Sequence, residues 1–80
     1  MNNLQSKIVK LMVEVGELSD NIGLDTTFQE VGLESITFIT IVVEIEDYFE
    51  IEFHDENMLI SKYQTVGDLV NYVESIIRKN

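Results

Sequence analysis

Ser35-Ile36-Thr37-Phe38-Ile39-Thr40-Ile41-Val42-Val43-Glu44-Ile45-Glu46-Asp47-Tyr48-Phe49-Glu50 is a long apolar-rich stretch for which two readings compete. Its many β-branched residues (Ile36, Ile39, Ile41, Val42, Val43, Ile45) would suit a strand. Length argues against that, because strands usually run only about 3–10 residues. Phe38, Ile41, Val42, Ile45 and Phe49 instead recur at helical spacing. Glu44, Glu46, Asp47 and Glu50 are tolerated in a helix, and Ser35 is a natural N-cap. The period decides for a helix over 35–50, and that decides the fold class.

Working outward, the loop before this helix runs over 17–34 and is rich in Ser, Asp, Asn, Thr and Gly, which suit turns and irregular backbone. Phe28, Val31 and Leu33 punctuate it and should pin it to the core. A loop this long in a small domain is commonly functional. Upstream, Leu4, Ile8, Leu11, Val15 and Leu18 form an amphipathic stripe, broadened by Val9 and Met12, which predicts a helix over 3–16. Downstream, Asp55 caps a short helix over 55–60. Thr65 caps a last helix with Asp68 three residues on, a variant of the capping box. Val66, Leu69, Val70, Val73, Ile76 and Ile77 make its stripe, and Arg78 and Lys79 suit its C-terminal dipole. The expected fold is all-α: a four-helix bundle of three longer helices and one short one, in a single domain over 1–80.

The 80 residues hold 15 acids against 5 bases, a net charge of −10, 45% hydrophobic residues and no Cys or Pro. The core must therefore be built by packing alone, without disulfides or a Cys-based zinc site. With one histidine, His54, a multi-His metal centre is excluded, and no metal is expected. The charge argues against nucleic acid and anionic membranes as partners and favours basic ones. The polar start, Met1 to Lys7, has no secretory pattern, and no apolar run approaches the roughly 20 residues of a transmembrane helix. A cytoplasmic monomer is expected. The charge is also uneven: no Lys or Arg stands between Leu11 and Ser61, where every acid except Asp68 and Glu74 lies.

Catalytic machinery is thin. His54 is the only candidate histidine base and has no motif around it. Glu44 and Asp47 share a helical face, as any pair does at this charge density. Asp20-Asn21-Ile22-Gly23-Leu24-Asp25 places Ile and Leu where a calcium loop needs oxygen ligands, and no glycine-rich phosphate loop is present. The chain is not expected to be an enzyme. What remains is Gly32-Leu33-Glu34-Ser35-Ile36, a serine at the end of a long loop beside the positive end of a helix dipole, where a phosphate is favoured. The bland reading is that Ser35 is only a cap. Ser19 shares the Val-Gly-x-x frame but leads into Asp-Asn-Ile-Gly, which supports no long helix. Ser6, Ser61 and Ser75 lack both the glycine loop and the helix after it.

This motif resembles that of the acyl and peptidyl carrier proteins, in which a glycine and a variable residue, then usually Asp, precede Ser and Leu or Ile. The likeness extends to Asp25-Thr26-Thr27-Phe28, to Glu44-Ile45-Glu46-Asp47-Tyr48-Phe49, to the segment from Glu50 to Glu56, and to Thr65-Val66-Gly67-Asp68-Leu69. Glu34 departs from the usual Asp, and His54 stands where many members have proline. Thr37, Thr40 and Val43 stand on the outer face, where fatty-acid carriers show more acids.

The resemblance implies a non-catalytic carrier bearing covalent 4′-phosphopantetheine on Ser35, with Gly32, Leu33, Glu34 and Ile36 completing the attachment motif. A phosphopantetheinyl transferase would install the arm from coenzyme A, and the arm's thiol would hold an acyl or aminoacyl group. That accounts for thiol chemistry in a chain without cysteine. Ile36, Thr37, Thr40, Val43, Glu44, Glu46, Asp47 and Glu50 would meet partners: the loading enzyme and synthase or transferase enzymes with basic docking surfaces. Phe38, Val42, Met58, Leu59 and Ile60 would shelter the acyl chain. The outer face leans toward a polyketide, nonribosomal peptide or specialised fatty-acyl pathway, and the chain's start and end toward a free-standing carrier. The rival reading is a small acidic helical adaptor for a basic protein, with no prosthetic group.

Overall fold

The apolar stripes of three helices meet in one core. A computed structural model of the protein describes residues 2–79, in which α1 (Asn3–Gly16), α2 (Ser35–Phe49) and α3 (Val66–Lys79) pack together. Ile8, Val9 and Met12 come from α1, Phe38, Ile41, Val42 and Ile45 from α2, and Val66, Leu69, Val70 and Val73 from α3. The stretch from Ser35 is thus helical as its period requires, ending one residue early at Phe49. Ile51 and Phe53 close the core from the segment after α2. Among the described residues no helix is long and apolar enough to cross a membrane.

Two helix starts are closed by reciprocal capping boxes, which satisfy first-turn N–H groups that have no intrahelical partner. Asn2 and Gln5 form one at α1, the Asn2 side chain accepting the Gln5 N–H at 2.8 Å. Thr65 and Asp68 form the predicted one at α3, each side chain accepting the other's N–H at 3.1 Å.

The long loop is knitted to the start of α3. The Phe28 N–H donates to the Gln64 carbonyl at 3.1 Å, Val66 to Thr26 at 2.8 Å and Gly67 to Leu24 at 2.8 Å. Phe28 is buried, and Val31 and Leu33 are half-buried against the core, as expected. Ile22 and Leu24 also pack there, although their place in the turn-rich stretch gave no sign of it. Inside the loop the Glu30 carboxylate accepts both the Thr27 N–H and its hydroxyl, and these bonds hold the carboxyl below its ordinary range.

The predicted short helix over 55–60 is corrected to two 3₁₀ turns, Asp55–Met58 and Ile60–Lys62. Leu59 separates them with extended backbone, φ −92° and ψ 129°. An unbroken helical turn would send Met58, Leu59 and Ile60 in successive directions. The extended break lets Met58 and Ile60 both pack on the core while Leu59 stays 52% exposed. His54, not Asp55, occupies the cap position, and it makes no side-chain cap bond.

Glu17 and Glu50 end α1 and α2 in the left-handed region, at φ 53° and 56°. The following N–H groups, of Leu18 and Ile51, reach back to the Val13 and Glu46 carbonyls at 3.1 Å each. This is the Schellman arrangement, in which glycine is the usual residue. The Glu46 side chain acts here as well, because its Oε2 accepts the buried Phe53 N–H at 2.8 Å.

Three outcomes test this account. Glu17→Gly removes the left-handed strain and a carboxylate from a helix C-terminus, so it stabilises by about 1 kcal/mol. In thermal unfolding that is a Tm rise of roughly 4–8 °C; an unchanged or lower Tm contradicts it. Glu46→Ala orphans the Phe53 N–H and costs about 1–3 kcal/mol in urea unfolding, against a change within about 0.5 kcal/mol for the exposed Glu44→Ala. Equal costs would rule the Phe53 bond out. The third concerns acid. The Gln64 N–H, then that of Thr65, hold the Asp68 carboxyl below its ordinary range. Because the folded pKa is depressed, this stability is present above the unfolded value of about 3.9 and lost as pH falls through the folded one. The urea midpoint of Asp68→Asn should lie below that of the unsubstituted protein near neutrality, and the two should converge below about pH 4. A gap that is constant with pH would exclude the carboxylate as its source.

Candidate functional site around Ser35

The turn before α2 is set by Gly32, whose φ of 64° is a conformation that a side chain would strain. Conformation, not crowding, requires glycine there, since a Cβ would meet no atom within 4 Å. The Gly32 N–H donates to the Gln29 carbonyl and the Leu33 N–H to that of Phe28, at 3.2 and 3.1 Å. Leu33 thereby rests against the core while Glu34 and Ser35 stand exposed.

Ser35 is not the cap of α2 but its first helical residue. The cap position belongs to Glu34, with φ −87° and ψ 156°, and its side chain makes no capping bond. The extended backbone that marks a cap falls one residue earlier because the Phe38 N–H already reaches the Glu34 carbonyl, at 2.9 Å. The Ser35, Ile36 and Thr37 N–H groups have no partner among the described residues. Unlike α3, whose first N–H groups are taken by the Thr26, Leu24 and Thr65 carbonyls, α2 thus begins with open donors at the positive end of its dipole, next to an exposed hydroxyl. Such an end suits a phosphate group attached to that hydroxyl, so the residues present fit a phosphodiester-linked arm.

Ser35 stands at one side of a groove of about 150 Å³, whose other walls are Ile39, Met58, Leu59, Ile60 and Ser61. Three of the five residues predicted to shelter an acyl chain (Met58, Leu59, Ile60) line it. The other two do not: Phe38 and Val42 are completely buried, their side chains being consumed by helix packing. Ile39 and Ser61 were not foreseen. Ile39 could have been found, because it lies one turn beyond Ser35 on the same face. Ser61 carries no sequence signal, since the chain reversal that brings it to Ser35 is tertiary.

The outward face of α2 carries most of the predicted partner residues. Ile36 is 77% exposed and Val43 41% exposed, with Thr40, Glu44 and Asp47 exposed beside them and Thr37 half-buried. The Thr40 hydroxyl donates to the Ile36 carbonyl at 3.1 Å. Glu50 is exposed at the far end. Glu46 is corrected: half-buried and bonded to the Phe53 N–H, it serves the fold and not the outer face. Tyr48 was also not foreseen; it is 54% exposed, with the Lys7 ammonium over its ring at 4.7 Å. Among the described residues the only ion pair is Arg78–Glu74, at 3.5 Å, so the 11–61 acids have no cationic partners, and all of them but Glu46 face solvent.

Comparison with known proteins agrees with this geometry. The sequence matches the phosphopantetheine attachment site family over residues 6–73. It is 38% identical over 69 residues to an acyl carrier protein of Streptococcus pneumoniae serotype 4, covering 85% of this chain and 88% of that protein. The same identity and coverage relate it to an acyl carrier protein of Streptococcus thermophilus. The crystal structure of an acyl carrier protein from Thermotoga maritima superposes with a TM-score of 0.78 at 27% identity, covering 99% of this chain and 98% of that one. The adaptor reading gives way to a non-catalytic carrier whose cofactor is covalent 4′-phosphopantetheine. The chain belongs to the acyl carrier protein family.

Proposed function

We propose that Ser35 is the residue that accepts 4′-phosphopantetheine, and that the outward face of α2 presents the loaded arm to partner enzymes. The observation that carries this reading is the uncapped start of α2: an exposed hydroxyl beside three unpartnered N–H groups, at the mouth of a groove. When bound, the arm supplies a thiol that holds the cargo as a thioester. The chain's own residues position and present. Gly32 and Leu33 set the turn that exposes Ser35, the first-turn N–H groups and the dipole stabilise phosphate charge, and Ile39 and Leu59 offer apolar surface beside the attachment point. Glu44, Asp47 and Glu50 attract basic docking surfaces and speed encounter with them. Ile36 and Val43 supply apolar contact nearer the arm.

The partners on this reading are a phosphopantetheinyl transferase, a loading enzyme and the enzymes that consume the cargo, met by a monomeric carrier in the cytoplasm. The cargo is an acyl group, a choice supported by the relatives' description as acyl carrier proteins. The Thr37, Thr40 and Val43 positions support a specialised fatty-acyl or polyketide pathway over ordinary fatty-acid synthesis. A peptide pathway has less behind it.

Incubation of the purified protein with a phosphopantetheinyl transferase, magnesium and coenzyme A should raise its intact mass by one phosphopantetheinyl group. Ser35→Ala should take up none. An unchanged mass for the unsubstituted chain, or equal uptake by the variant, removes Ser35 from the role.

A further inference from the structure

The last turn of α2 borrows its cation. No basic residue stands in that turn, although the negative end of a helix dipole favours one there. Lys7 of α1 supplies it, with its ammonium 4.7 Å from the centre of the Tyr48 ring. Among the described residues Lys7 forms no ion pair, so in a chain of 15 acids it rests on a ring and not on a carboxylate. Tyr48 meets Phe49 edge-to-face, with ring centres 4.9 Å apart, and Phe49 is packed against the core. The Tyr48 ring is therefore braced from below, yet it is 54% exposed. Glu44, also exposed, stands one turn before it on the same face. An aromatic face and a carboxylate thus lie side by side at the end of α2 remote from Ser35.

We propose that Tyr48 and Glu44 form a receptor for one arginine side chain of a partner, and that Lys7 is the placeholder in this receptor while the protein is free. The receptor stands on the residues just described; only the partner's identity as an enzyme rests on the carrier reading. Arginine fits both walls at once, because its planar guanidinium stacks on a ring and also donates paired N–H bonds to a carboxylate. A lysine ammonium is a compact point charge, and Lys7 serves the ring alone. Cation–ring contacts at exposed sites are weak and the lysine stem is flexible, so Lys7 yields its place without disturbing the core. Tyr48 lies 13 residues after Ser35, about 20 Å along the helix. Net charge draws any basic protein to this chain; the ring selects one that carries an arginine about 20 Å from the point where it receives Ser35.

The test compares two end-capped peptides of equal charge, tetra-arginine and tetra-lysine, binding to the full chain at low salt, by calorimetry and NMR. A peptide lysine only exchanges for Lys7 on the ring, whereas an arginine gains there, so the arginine peptide should bind more tightly by about twofold to fivefold. In the free protein the Lys7 ε-methylene protons should be displaced upfield by the Tyr48 ring, and saturation with the arginine peptide should return them to their ordinary position. Tyr48→Leu should weaken the arginine peptide by the same factor and leave the lysine peptide unchanged, while Tyr48→Phe keeps the ring and should keep the preference. Lys7→Gln and Lys10→Gln each remove one positive charge, but only the first frees the ring. It should therefore bind the arginine peptide about twofold to fivefold more tightly than the second does. Equal binding of the two peptides overturns the proposal, as does a preference that survives Tyr48→Leu or vanishes in Tyr48→Phe. Lys7 protons still displaced at saturation, or equal gains from the two lysine variants, overturn the placeholder. If Tyr48→Leu fails to fold, Tyr48→Phe and the Lys7 protons decide. The peptides meet the protein before any arm is attached, so failure here leaves the Ser35 reading standing, and a chain that gains no mass removes that reading alone.

Discussion

Three main-chain hydrogen bonds hold the long first loop to the beginning of α3, and the position of Ser35 follows from them. Residues 17–34 contain too few apolar side chains to fold as a layer of their own. They are fixed where Thr26, Leu24 and Phe28 exchange backbone bonds with Val66, Gly67 and Gln64. The approach is so close that a Cβ on Gly67 would stand 2.9 Å from the Leu24 carbonyl oxygen, nearer than packed atoms tolerate. Glycine at this helix start is therefore a requirement of the loop, and the loop in turn carries Phe28 into the core beside Phe38. Phe38 sits three residues after Ser35, so burying its ring fixes the rotation of α2 and with it the outward direction of the hydroxyl.

The three helix starts divide by purpose. Asn2 and Thr65 commit their side chains to capping, a contribution of about 1 kcal/mol each, and close α1 and α3. At α2 the residue in the same position, Glu34, leaves its carboxylate in solvent, and the first-turn donors stay open. Local stability is given up at this one helix end, beside the exposed Ser35 hydroxyl. Glu34 also places a negative charge beside Ser35. That charge favours the helix dipole but would repel a phosphate on the hydroxyl, and the open N–H groups and the dipole would have to outweigh it.

How far the sequence could be read follows the same physics. The three long helices were legible because their stripes repeat over several turns, and the Thr65–Asp68 cap because both partners lie within four residues. Ser35 stood out as a candidate by contrast with Ser19, but not as the first helical residue, because a one-residue shift of the cap depends on the backbone angles of Glu34. The 3₁₀ pair was misread as one helix because apolar content alone cannot show that Leu59 turns out while its neighbours turn in. Glu46 looked like its neighbours Glu44 and Asp47, and only the return of the chain at Phe53 reveals its inward bond. Phe38 and Val42, named with the acyl-chain shelter, lie wholly in the core, where helical period already set them with Ile41 and Ile45. Ser61 carried no signal, since its place beside Ser35 arises from the reversal of the chain.

The acidic surface and the exposed apolar residues are best understood together. In the isolated chain each is a cost: unpaired carboxylates repel one another, and Ile36, Ile39, Val43 and Leu59 keep apolar area in water. Along α2 the aliphatic residues Ile36 and Ile39 stand by Ser35, while Asp47 and Glu50 stand with the exposed Tyr48 toward the far end, some 11 residues or about 16 Å away. A partner that is apolar at its active-site mouth and basic a short distance off would relieve both costs, but only in one orientation. Reversed, it would set its cations on Ile36 and its apolar rim on Asp47. Long-range attraction alone would bring a basic protein to any face of a chain with charge −10; the aliphatic end of α2 beside Ser35 and its acidic far end would turn that attraction into alignment.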